Sequence, residues 1–355
     1  MGASVAGRAA GAAWTARSIA VLLALAGLFL ACSRAKPPSQ VAFYHWKQVL
    51  ELDRASCQFL AQARVRRLLV RFFDVDLDAA SGTPVPVSEL EYRGGLPAGI
   101  RVIPVVFLSE RVFRSAYDPS RLAGQVAGKI ERIVSRNGFA PAREIQLDCD
   151  WTESSRDRFF SFLKAMKKNV SPGTTLSATL RLHQVKFRER EGVPPVDCAT
   201  LMLYNMGDVE SPVAHNSIID AGVFRSYADA LGDYPLPFDL ALPIYRWGLV
   251  YRHDRLARIV NDLGEEEVAA AGDAFKALGK GRFLCRRGTH LGGTALFAGD
   301  LLRLEAAEFS TVRECQRLAR KALKGRQAGL VFYHLDAKAL ARFGPGRVLE
   351  LAREI

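Results

Sequence analysis

The chain has 355 residues, 49% of them hydrophobic and 24% charged, with a formal net charge of +12. That length and apolar content exclude wholesale disorder, collagen and a coiled coil, and a single long apolar run, at the N-terminus, excludes a polytopic membrane protein. The basic residues are spread along helix-like segments (Arg64, Arg66 and Arg67; Lys164, Lys167 and Lys168; Arg313, Arg317, Arg320 and Lys321) without interleaved aromatics, so nucleic acid is not an expected partner.

Residues 1–31 read as an export signal, in which Arg8 and Arg17 supply positive charge and Ile19 to Ala31 an apolar stretch of about thirteen residues. Ala31-Cys32 resembles the processing site of bacterial lipoproteins, although Phe29 and Leu30 depart from the usual residues there. The resemblance implies that Cys32 is lipidated and becomes the new N-terminus, attached to the membrane of the bacterial cell envelope. An uncleaved anchor helix and ordinary secretion are the alternatives, and all three put the domain outside the cytosol. Processing before Cys32 removes two arginines and no acids, lowering the net charge from +12 to +10. Cys32 and the polar SRAKPPSQ that follows form a tether over 32–40. The remaining cysteines, Cys57, Cys149, Cys198, Cys285 and Cys315, are an odd set without short spacings, which predicts neither a zinc site nor a disulfide framework. Cys149 reads as a buried thiol, and one bridge among the others stays open.

From residue 41 onward, apolar β-rich runs recur: Val41 to Trp46, Arg67 to Val75, Val102 to Leu108, Ile145 to Trp151, Thr175 to Leu182, Thr200 to Met206, Leu240 to Trp247 and Leu330 to Leu335. Helix-spaced stretches separate them, among them Leu50 to Val65, Pro119 to Asn137, Ser154 to Asn169, Ser217 to Leu231 and Thr311 to Leu323. Strand-helix alternation repeated eight times predicts an α/β fold, a (β/α)8 TIM barrel over 41–355, with a doubly wound open sheet as the alternative. The gap between strands seven and eight is too long for one crossover. It predicts a small α+β insertion over about 252–310, with helices at Leu256 to Leu263 and Val268 to Leu278 and a hairpin in the glycine-punctuated Arg282 to Glu305.

Barrel active sites lie at the C-terminal ends of the strands, so polar residues there are the informative ones. They are Tyr44, His45 and Trp46; Arg71, Asp74 and Asp76; Asp148 and Asp150; Arg181 and His183; Tyr204 and Asn205; Tyr245 and Trp247; and Tyr333, His334 and Asp336. Gln146, Asp148 and Asp150 share parity in IQLDCDWTE, so if Asp148 points into the barrel, Asp150 does too. Two carboxylates crowded at one site push one pKa upward, which is how acid and base roles are divided. The competing reading is an ion pair that ties Arg71 or Arg181 into the barrel interior. His183 and Gln184 stand where substrate hydroxyls would be bound. Asp74, Asp76, Asp148, Asp150, His183 and His334 lack HxH or HExxH spacing, so no metal is expected. Without a GxSxG elbow, GxGxxG or Walker sequence, neither a serine hydrolase nor a nucleotide cofactor is expected.

IQLDCDWTE resembles the DxxDxDxE signature of family 18 glycoside hydrolases. Met202 to Asn205 (MLYN), Ala241 to Tyr245 (ALPIY) and Gly329 to Asp336 (GLVFYHLD) are similar to that family's motifs on strands six, seven and eight, in the same order. The resemblance implies a chitinase-like barrel that binds a cell-wall or extracellular saccharide, with Asp150 orienting an N-acetyl group, Asp148 supporting it and Tyr204 holding the acetamide. Asn205 stands for the usual Asp and Tyr333 for the usual Trp. Thr152 occupies the place of the proton-donating Glu, and its hydroxyl is no acid at neutral pH. Glu153, one residue on, faces the other way on an ideal strand. Two expectations follow: a non-catalytic or weakly catalytic saccharide-binding barrel, or a glycoside hydrolase using Asp148 and Asp150. In both, Asp74, Asp76, Trp151, Arg181, His183, Tyr204, Asn205, Tyr245, Trp247 and Tyr333 line the ligand site, since sugar rings stack on aromatic faces; two or three of the aromatics belong to the core instead.

Overall fold

A computed structural model of the chain describes residues 1–2 and 41–354. Cys32, the tether and all but the first two residues of the expected leader lie outside the described residues. Eight parallel strands close a barrel: β1 (Val41–His45), β2 (Arg67–Leu77), β3 (Arg101–Leu108), β4 (Glu144–Asp148), β5 (Thr175–Leu180), β6 (Cys198–Met202), β7 (Phe238–Pro243) and β8 (Leu330–Tyr333). Each pairs with the next, and β8 returns to β1 with Val41 opposite Leu330 and Phe43 opposite Phe332, which leaves no free edge in the ring. The strands have two apolar faces. Ala42, Tyr44, Leu69, Ile103, Val105, Met202, Tyr204, Ala241 and Val331 form the cluster inside the barrel, while Phe43, Leu68, Val70, Val106, Leu147 and Phe332 belong to the layer against the helices. That double burial is why the strands read as near-continuous hydrophobic runs.

Several helices begin at aspartate caps. Asp53 accepts the Ser56 N–H at 2.7 Å to start Arg54–Gln62, and Asp118 accepts the Ser120 N–H at 3.0 Å to start Pro119–Arg136. The second helix buries Leu122, Val126, Ile130 and Ile133 along one stripe. The expected eightfold alternation is incomplete: among the described residues no helix joins β2 to β3. Instead Pro84–Val87 returns antiparallel to β2, and Glu91–Gly94 pairs with Val49–Glu51. Pro84 and Pro86 lack N–H donors, which blunts the edge this strand adds.

Between β7 and β8 lies a five-stranded antiparallel sheet in the order Arg255–Asn261, Arg246–Arg252, Leu301–Ala306, Arg282–Cys285, Phe275–Gly279. It carries one α-helix, Glu265–Ala270, and the hairpin Thr289–Leu291 with Thr294–Leu296. Two expectations are corrected here. The segment read as a helix at Leu256 to Leu263 is an edge strand, and the helix read over Val268 to Leu278 ends at Ala270, before a strand. The strand hid because its hairpin turn is His253-Asp254, both at positive φ (49° and 59°), without the glycine that usually marks this turn. Gly292-Gly293, at φ 52° and 75°, makes the legible one.

Candidate functional site

The carboxylates at the mouth have different partners. Asp148, buried at the end of β4, accepts a hydrogen bond from Thr179 Oγ1 at 2.6 Å, and burial, then the charge of Asp150, pushes its carboxyl up to about 6. Asp150, two residues on and beyond the strand, takes both prongs of Arg181 at 2.7 and 2.9 Å. Arg71 Nε donates to Asp74 at 2.6 Å, and its Nη1 donates to the Trp46 carbonyl at 3.2 Å. An arginine therefore neutralises Asp74 and another Asp150, while Asp148 has no ion pair among the described residues. Below them Tyr44 donates to Gln146 Oε1 at 2.5 Å and Gln146 donates to Thr200 at 2.9 Å, a polar layer across the barrel.

Aromatic rings form the other wall. Tyr333 stacks on Tyr204 with centroids 4.9 Å apart, lies 5.8 Å from Trp46 and 5.7 Å from Tyr245, and Tyr245 meets Trp247 at 5.2 Å. Burial, then the charge of Asp148, raises the Tyr333 phenol, which keeps it a hydrogen-bond donor. The Tyr245 hydroxyl donates to Asn205 Oδ1 at 2.5 Å. Between these rings and the insertion opens a cavity of about 410 Å³, lined by Trp46, Asn205, Tyr245, Trp247 and Tyr333 together with Lys47, Arg246, Asn261, Asp262, His334, Asp336 and Arg342. That volume suits a small-ligand site. His334 and the buried His45 each leave Nδ1 without a hydrogen-bond partner, and burial, then the proximity of His334 and Lys47, lowers His45 to about 4.

Several expected site residues are elsewhere. Trp151 is 1% exposed, stacks on Phe159 at 5.3 Å and donates its Nε1 to the Glu191 carbonyl at 3.0 Å, so it is a core residue and not part of the ligand wall. The alternation that carries Asp148 inward turns Leu147, Cys149 and Trp151 outward to the helices. Gln184 is buried and spent on the backbone, accepting from Arg181 N at 2.8 Å and donating to the Trp151 carbonyl at 3.2 Å. Asp76 is engaged by Arg111 at 2.5 Å, while His183 is exposed on the short helix after β5. The Thr152 hydroxyl donates to Glu110, which also accepts from Ser155 Oγ at 3.0 Å. The five cysteines of the described residues are free thiols, and among these residues no group of three or more His, Cys, Asp or Glu is arranged to hold a metal ion.

Glu110, Arg246, Asp262, Glu305 and Arg342 were not foreseen as site residues. Glu305 had the only visible signal, since Arg303 and Glu305 share parity in LLRLEA, a pattern that buries two charges if the strand's leucines face both ways.

No family model matches the chain, and no curated protein matches it in sequence. Solved structures resemble it in fold. The spore cortex-lytic enzyme SleL of Bacillus cereus aligns at 14% identity with a TM-score of 0.52, over 89% of this chain and 74% of that one. The chitinase of Chromobacterium violaceum aligns at 12% identity with a TM-score of 0.52, over 88% and 99%. The GH18 chitinase ChiB from the chitin utilization locus of Flavobacterium johnsoniae aligns at 11% identity with a TM-score of 0.50, over 89% and 94%. At such identities the likeness is one of fold, a chitinase-like barrel.

Proposed function

We propose that this protein binds a saccharide of the cell wall or an extracellular glycan at the mouth of its barrel, and that it hydrolyses that ligand weakly or not at all. The observation that carries the reading is the run of Trp46, Tyr333, Tyr245 and Trp247 along a cavity that also presents Asn205, Lys47 and His334, since apolar sugar faces stack on rings while hydroxyls need polar partners. Fold neighbours that include a cortex-lytic enzyme and chitinases agree with it. Weak catalysis follows from Thr152, whose hydroxyl cannot donate the proton, and from Arg181, which neutralises Asp150. A hydrolase using Asp148 and Asp150 is the second reading, and the Asp148 carboxyl held near 6 favours it. Export and anchoring through lipidated Cys32 belong to the same proposal and rest on residues 1–40 of the sequence.

Calorimetric titration of the protein with chitohexaose and with a peptidoglycan fragment tests binding. A saturable heat with at least one of them, lost in Tyr333→Ala, is expected; no heat with either sinks the reading. Release of reducing ends, abolished by Asp148→Asn, would replace it with the hydrolase.

A further inference from the structure

We propose that Glu305 is a positioning residue for the ligand site: from the insertion it sets the orientation of the Trp247 ring, and with Arg303 it holds the loop after β6 that begins at Tyr204 and Asn205. The inference rests on the saccharide-binding reading.

Glu305 and Arg303 are charged side chains at 2% and 3% exposure on the strand Leu301–Ala306, with Arg303 Nε 2.8 Å from Glu305 Oε1. The other carboxylate oxygen, Oε2, accepts from Trp247 Nε1 at 2.8 Å and from the Ser217 hydroxyl. Arg303 donates to the carbonyls of Ser211, Ala214 and Asp208, the latter two at 3.2 and 3.3 Å. Asn216 adds a bond to the Ala306 carbonyl at 2.7 Å. Three segments thus converge on one buried ion pair: the strand that leaves β7 with Trp247, the loop after β6, and the insertion.

Burying two charges brings little net stability compared with apolar residues of the same volume, so a buried pair here points to geometry that apolar contacts could not specify. Here the geometry is that of a cavity wall. Trp247 lines the cavity and meets Tyr245 at 63°, and its indole can only donate. Without Glu305 the N–H would be buried unpaired, and the ring would lose the directional bond that fixes which way its edge points. One oxygen, Oε2, accepts both bonds, so the same atom sets the ring and secures Ser217, while Oε1 faces Arg303. The expected ligand is one that lays an apolar sugar face against Trp247.

Affinity of the full protein for chitohexaose, measured beside the melting temperature of each variant, tests the assignment. Trp247→Phe keeps a flat ring and removes the N–H, and Glu305→Gln weakens the acceptor; each is expected to lower affinity about ten-fold, the order of one hydrogen bond to a charged group. Because both changes break the same link, the double variant should lose no more than either alone. Native affinity in Trp247→Phe, or losses that add, would overturn the proposal. Should Glu305→Gln not fold, Ser217→Ala decides with Trp247→Phe: it removes a donor from the same oxygen but spares the indole bond, so it should bind as the native protein does. A loss there equal to that of Trp247→Phe would mean general packing and overturn positioning. A native protein that binds no saccharide sinks the functional reading instead, and this inference with it.

Discussion

Arg181 grips Asp150 with two parallel hydrogen bonds, at 2.7 and 2.9 Å, across the mouth between β5 and β4. The pair decides how the two aspartates differ. Asp150 is held as a neutralised partner, while Asp148, two residues earlier, sits buried against Thr179 with no cation of its own. The strand parity that brings them together therefore does not make them equivalent.

Asp150→Asn tests the pair. The Asp150 side chain is half exposed, so its loss should cost no more than about 1 kcal/mol, a shift of a few degrees in melting temperature. Affinity for chitohexaose should nevertheless fall about ten-fold or more, because Asp150 would turn from Arg181 toward a ligand amide. Unchanged affinity at unchanged stability would remove Asp150 from the site.

Asp148→Asn should stabilise the protein at alkaline pH. The native carboxyl is raised from its ordinary value to about 6, so the stability it contributes is complete below that ordinary value and is lost as pH rises through about 6. Asparagine stays neutral and still accepts from Thr179. Its advantage should reach at most about 3 kcal/mol near pH 8 and vanish near pH 4. Thermal melts at the two pH values check this, and a lower melting temperature at pH 8 would refute it.

His45 acts in the opposite sense. Its folded value is lowered to about 4, so its contribution is present above pH 6.5 and lost as pH falls toward 4. His45→Gln should flatten that loss by up to about 3 kcal/mol, with Lys47, His334 and Asp336 the charged or titratable neighbours that share the change. Side-chain proton resonances of His45 that titrate near 6.5 would contradict it.

Thr152→Glu should gain hydrolysis. Glu110 accepts the Thr152 hydroxyl, so a carboxyl introduced there would face Glu110, and the repulsion would raise its pKa toward that of a useful acid. Reducing-end release from chitohexaose is the measurement. Glu110→Gln in the same background should reduce the gain, and a gain insensitive to Glu110 would discard this account.

Cys32→Ser should abolish labelling by a fatty-acid probe and move the protein out of the membrane fraction. Each buried CH₂ of an acyl chain contributes about 0.8 kcal/mol, so loss of the anchor releases the protein instead of loosening it. Persistent labelling of the variant would disprove lipidation.

The sequence by itself determined the eight strands and the strand ends at which polar residues gather, because doubly buried strands leave a local signal of apolar period, and their number pointed to a barrel whose closure the pairing of β8 with β1 decided. The same parity that turns Asp148 inward turns Trp151 outward into the layer against the helices, so the place of Trp151 is legible in the sequence as well. What it left open were choices of partner. That Arg181 takes Asp150, that Thr152 meets Glu110, and that Glu305 pins Trp247 from 58 residues away are contacts between distant segments, set by where closure of the barrel and docking of the insertion bring them. The same holds for the edge strand Arg255–Asn261, whose apolar spacing fits helix and strand alike until the insertion sheet supplies its neighbour. Local pattern carries burial and period; pairing among charges is a tertiary decision, because any arginine suits any aspartate until geometry chooses.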